Sequence, residues 1–176
     1  MSLNQKINIK LSLEIAELGV DKFLDNDFFQ SIPFLKIVYS IYKGSINISD
    51  RLLFFKVTKF LYSLKNHNIP FEKRIKFLDK MNSSPAFKKR VSYDLLNILN
   101  KIDELDKIEL ITKVFRYCML DLITYDEFTR CAYGINSAFM NDIKAFIKMN
   151  EEKETFNAVK QNLIHTGFVK IKTGNT

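Results

Sequence analysis

Two histidines, His67 and His165, and two cysteines, Cys118 and Cys131, are the only soft metal ligands in the chain. No two of them stand within the about two-to-five-residue spacing that lets one loop or one helical face present a pair of ligands to zinc, so no metal is expected. The cysteines read as small apolar packing residues and the histidines as solvated groups beside turns. Ser40-Ile41-Tyr42-Lys43, Ser45-Ile46-Asn47 and Lys172-Thr173-Gly174 spell the three boxes of serine penicillin-recognising enzymes. The first two fall within eight residues of one helix and turn, where that chemistry needs a sheet edge beside a helical domain, so the match is coincidental. Asp103, Glu104, Asp106 and Glu109 cluster at a helix junction, where capping and the positive end of the helix dipole account for them without acid or base catalysis. Asp25-Asn26-Asp27 opens like a calcium loop but lacks the glycine and the closing glutamate. No glycine-rich phosphate loop follows anywhere, which removes ordinary nucleotide-dependent enzymes and with them any expected small-molecule cofactor. The expectation is a non-enzyme.

The elements that would position a site are helices. Ser31-Ile32-Pro33 opens a helix to Lys43 whose Phe34, Leu35, Ile37, Val38 and Ile41 leave only a narrow polar stripe, which predicts a central helix or one lying on something greasy. Asp50 is expected to cap the next helix, with Leu53, Val57, Phe60, Leu61 and Leu64 facing inward opposite Lys56 and Lys59. Ile69-Pro70 restarts the chain with Phe71, Ile75 and Leu78 inward, and Ser84-Pro85 again with Phe87, Val91, Leu95, Ile98 and Ile102 inward. Asp106 is expected to cap a helix through Cys118. Thr124-Tyr125-Asp126-Glu127 matches a capping box, in which Thr and Glu satisfy each other's exposed N–H groups, and a long helix from Tyr125 to about Lys148 is predicted behind it. A last helix, Thr155 to Ile164, should end on Gly167 as a left-handed cap. Ile7 to Ile15 alternates as a strand would, as do parts of Phe168 to Lys172, while Ile7, Leu11, Ile15 and Leu18 also fit a helix. The expected fold is all-α: a compact bundle of six to eight helices, with a minor two-stranded ribbon at the termini as the rival reading. Residues 1–150 would form the helical domain, and 151–176 a C-terminal helix and tail packed on it.

Charge is the one strong asymmetry. The 176 residues carry 27 Lys+Arg against 20 Asp+Glu, a net of +7. Between Arg51 and Arg90 lie eleven basic residues and two acidic ones, so the remainder of the chain is slightly acidic. Lys56, Lys59, Lys73, Arg74, Lys76, Lys80, Lys88, Lys89 and Arg90 are therefore the candidate polyanion-binding residues. Lysine dominates arginine and accompanies abundant Asn, Ile and Phe, the signature of an AT-rich genome, so part of the excess needs no ligand. Two cysteines in apparent helices, no secretory leader and no apolar run near the ~18 residues of a membrane span suggest a cytoplasmic protein.

The stretch Ile32-Pro33-Phe34-Leu35-Lys36 through Tyr42-Lys43, then Ile48-Ser49-Asp50-Arg51-Leu52 through Lys59-Phe60-Leu61, resembles a loose group of small helical bacterial proteins of unknown function. Lys113-Val114-Phe115, Ile123 through Phe128, Ala138-Phe139 and Leu163 to Val169 are similar to its second half. That group carries Gly in the turn before the capping box. This chain has Asp121, which tolerates left-handed backbone less well. The resemblance implies a compact bacterial helical domain in mobile-element or phage-defence neighbourhoods, and no catalytic residues. Three functions are expected, in this order: a protein-interaction module with a protein partner or self-association, a nucleic-acid binder using residues 51–90, and a protein of anionic membrane surfaces.

Overall fold

In the computed structural model residues 47–148, 159 and 163–167 are described, and among them the chain is all-helical, with six helices and no strand. The expected 33–43 helix, the terminal ribbon and most of the 155–164 helix lie outside the described residues. Two compact units divide the chain, Met1–Lys101 and Ile102–Thr176. The division expected from the sequence, at residue 150, falls outside the described residues.

In the first unit, α1 (Ile48–Asn66) begins one turn earlier than expected, because Asn47 rather than Asp50 is the cap: its side-chain oxygen accepts the Ser49 N–H at 3.0 Å. Residues Phe54 to Thr58 are buried without interruption, so this helix is enclosed on every side there rather than amphipathic. Thr58 fits because its hydroxyl donates to the Phe54 carbonyl at 2.8 Å. Helix α2 (Phe71–Ser83) starts at Pro70 and α3 (Pro85–Asn100) at Ser84, whose hydroxyl accepts the Phe87 N–H at 3.3 Å. Val91, Leu95 and Ile98 of α3 are buried, as their spacing predicts; Leu99 is buried with them, and Phe87 is half-buried. The expected face of α2 is corrected. Phe71 and Ile75 are exposed, while Met81 is the only buried residue and Phe77 meets Phe87 edge-on at 6.1 Å.

In the second unit, α4 (Lys107–Met119) packs along α5 (Tyr125–Ser137). Ile108, Ile111 and Phe115 of the one and Phe128, Ala132 and Ile135 of the other form the core, with the rings of Phe115 and Phe128 edge to face at 5.0 Å. Asp106 does not cap α4 through its side chain; its carboxylate stands 3.5 Å from Lys144 instead. Helix α4 ends in a Schellman turn, Leu122 N–H to the Tyr117 carbonyl at 3.0 Å and Asp121 N–H to that of Cys118 at 3.1 Å. Asp121 holds the left-handed position at φ 61, so the sharp turn survives without glycine. An aspartate there carries both backbone strain and a negative charge at the helix's negative end. Asp121→Gly is therefore expected to raise stability by about 1 kcal/mol, read as a higher denaturant midpoint with an unchanged slope.

The capping box is present in full: Glu127 N–H donates to the Thr124 hydroxyl at 3.2 Å, and Thr124 N–H to the Glu127 carboxylate at 2.7 Å. The Thr124 N–H, and then the Thr124 hydroxyl, which donates to the same carboxylate at 2.9 Å, hold the Glu127 carboxyl below its usual range. The long helix expected behind it is two. Ala138 turns extended, at φ −92 and ψ 150, and α6 (Met140–Lys148) starts afresh. The break is fixed from a distance, by the Glu104 carboxylate accepting the Met140 N–H at 3.0 Å. Phe139, expected on the apolar face, is consequently exposed. Gly167 has φ 81, the left-handed geometry its position predicts.

Candidate interaction surface

The groups with nucleophilic or ligating chemistry stand apart. Cys118 is buried against the core and Cys131 is exposed. Partial desolvation of its sulfur, and then the nearby Glu127 charge, push the Cys131 thiol above its ordinary pKa although the residue as a whole is exposed, which keeps it protonated and a poor nucleophile at neutral pH. Cys131 borders an open cleft of about 510 Å³ between Arg130, Tyr133 and Ser137 of α5 and the turn at Thr166 and Gly167. The Ser137 and Thr166 hydroxyls there donate to the Tyr133 and Leu163 carbonyls at 3.0 and 2.7 Å. Among the described residues no cluster of His, Cys, Asp or Glu could hold a metal ion, and no helix is long and apolar enough to cross a membrane.

The acidic junction does have an organising cation that the sequence reading passed over. Lys107 is 1% exposed, and its ammonium donates to Asp103 at 2.6 Å and to the Asn136 carbonyl at 3.3 Å, with Glu104 also at 3.3 Å. The bond from Lys107 is the main reason the Asp103 carboxyl is held below its usual pKa. This is a structural lock. It ties the start of α4 to the end of α5.

The basic segment is the remaining surface. Lys56 leaves it: it is 5% exposed and its ammonium donates to the carbonyl of Asn100, the last residue of α3, at 3.1 Å. Its four-carbon stem packs like an apolar residue while its charge meets the negative end of a helix. Lys59, Lys73, Arg74 and Lys88 are half-buried, and Lys76, Lys80, Lys89 and Arg90 are exposed. At 100° per residue, Lys73, Lys76 and Lys80 lie within an arc of about 60° on α2, and Phe71, Ile75 and Leu78 within another of about 60° on its opposite flank. The lysine flank continues onto α3. Lys80 sits over the Phe87 ring, 4.8 Å from its centroid, and Lys88 donates to the Asn82 side chain at 3.3 Å. On α3 itself Tyr93 is 67% exposed, four residues after Lys89 and three after Arg90. The sequence reading missed Tyr93, although its spacing from those two cations is visible there. On the other flank Arg74 lies over the Phe71 ring at 5.8 Å.

Compared with protein-family models, curated proteins and solved structures, the chain matches none.

Proposed function

We propose that this chain is a non-catalytic helical interaction module of bacterial origin, working in a phage-defence or mobile-element system, that docks a protein partner on the apolar flank of α2. One observation carries the reading. Phe71 is 68% and Ile75 40% exposed on a helix that buries only Met81, so two of the three residues on the apolar stripe of this helix face water, with Leu78 half-buried beside them. Such stripes, rimmed by polar groups, are the usual seats of helix-in-groove or groove-on-helix contacts. Phe71→Asp together with Ile75→Asp should leave the melting temperature nearly unchanged, since exposed positions carry within about 0.5 kcal/mol of stability. A protein captured by the wild-type chain and identified by mass spectrometry should be lost from the double variant. An identical captured set for both would end the reading.

A second reading, nucleic-acid binding through the basic segment, is favoured by a separate observation: the lysine flank of α2 merges with α3 at the Lys80 and Phe87 contact. The two flanks face opposite ways, so the readings do not compete for the same side chains.

A further inference from the structure

We infer that a single strand of nucleic acid lies along the cationic flank of α2 and α3, with Tyr93 as the ring on which a base stacks. The inference rests on the second reading above, that the basic segment binds a polyanion, and adds the kind of polyanion and the residue that selects it. Lys73, Lys76 and Lys80 form a stripe along α2, and Lys80 crosses to the Phe87 ring at the first turn of α3. From there Phe87, Arg90 and Tyr93 follow at three-residue steps, the spacing that makes helix side chains neighbours. Lys89 flanks Tyr93 from the turn below. The result is a lysine stripe that passes, from Lys80 onward, into alternating rings and cations, ending at a tyrosine whose ring is mostly in water.

Surfaces that hold single strands combine these two features, ammonium groups for successive phosphates and ring faces for bases. A duplex keeps its base faces stacked on one another and cannot use the tyrosine, and a row poor in arginine lacks the bidentate fork that reads base edges. Among the described residues, acidic groups temper the row. Asp94 holds Arg90 at 3.6 Å, with the Arg90 side chain still half exposed, and Glu72 and Asp79 lie between the two flanks of α2. Phosphates and base faces are common to RNA and DNA, so the row takes either sugar.

The test uses the full chain and fluorescence anisotropy with labelled oligo(dT) and oligo(U) of about fifteen nucleotides, a site size within the range of such surfaces. A duplex of equal length and phosphatidylglycerol vesicles serve as competitors. Both oligonucleotides should bind at low salt within a few-fold of each other, compete better than duplex or vesicles, and weaken steeply as salt rises. Tyr93→Ala should weaken them about tenfold without changing the salt slope, Tyr93→Phe should keep the affinity, and the triple change Lys73→Glu, Lys76→Glu, Lys80→Glu should abolish binding. Melting curves establish that each variant is folded. Oligonucleotide binding that ignores Tyr93→Ala overturns the stacking inference while the polyanion reading stands. Preference for duplex or vesicles overturns the single strand. No binding to any of the probes at low salt overturns both.

Discussion

Phe60→Ala and Phe128→Ala are each expected to destabilise their own unit by about 3–5 kcal/mol. Both rings are fully buried, one in the enclosed stretch of α1 and the other between α4 and α5. The loss has two parts, the transfer of the ring from water that folding no longer gains, and the cavity that a close-packed interior only partly refills. Phe128 adds a further about 0.5–1.5 kcal/mol because its ring meets Phe115 edge to face at 5.0 Å and Tyr125 in a tilted geometry at 5.5 Å, contacts that alanine abolishes. Chemical denaturation followed by far-ultraviolet circular dichroism measures it. A loss under about 1 kcal/mol for either variant would place that ring outside a core.

Removing the charge on Asp103 and Glu104 while keeping their shape, by Asp103→Asn with Glu104→Gln, is expected to cost about 3 kcal/mol. Both amides retain an oxygen for Lys107, and the new amide at position 104 keeps an acceptor for the Met140 N–H. What disappears is the counter-charge of an ammonium that cannot reach water. The opposite deletion, Lys107→Met, should cost less, about 1 kcal/mol. Its orphaned carboxylates are 64% and 43% exposed and are rehydrated in place, and the methionine stem refills the space. The order of the two losses is the decisive result, and the reverse order would refute this account of the lock. The pH dependence has a definite sign. Asp103 is held below its ordinary pKa, so its contribution is present at neutral pH and is lost as pH falls below about 4 and then through the folded value. The double amide variant should show a weaker dependence over that range.

These residues also separate what a sequence can disclose from what it cannot. Some helix boundaries written in local chemistry were legible, although Asp50 and Asp106 do not cap as their types predict. Ser84 before Pro85, the Thr124 and Glu127 pair and Gly167 all do in the structure what their types and spacing predict. The division of the 125–148 stretch into two helices was not, because no proline marks it and its cause, Glu104, lies 36 residues away in the chain. Periodicity found the apolar side of α2 but could not say whether anything covers it, and the buried phase runs through Met81 instead. Within the candidate surface, the basic segment was visible as a count. That Lys56 belongs to the interior was not, since a lysine stem buries as readily as a leucine once a carbonyl waits for its charge. Asp121 shows the converse: a left-handed turn favours glycine, yet the hydrogen bonds of the turn hold an aspartate in that backbone.

Lys56 and Lys107 have a practical consequence, because among the described residues each unit holds one primary amine that water scarcely touches. Acylating reagents attack amines only where they are solvated, so these two should be the last of the described lysines to be modified, each at the pace at which its own surroundings open. Site-resolved labelling thus supplies two independent internal clocks. One times the opening of the α1 and α3 interior, the other that of the junction between α4 and α5, in a single sample of unmodified protein.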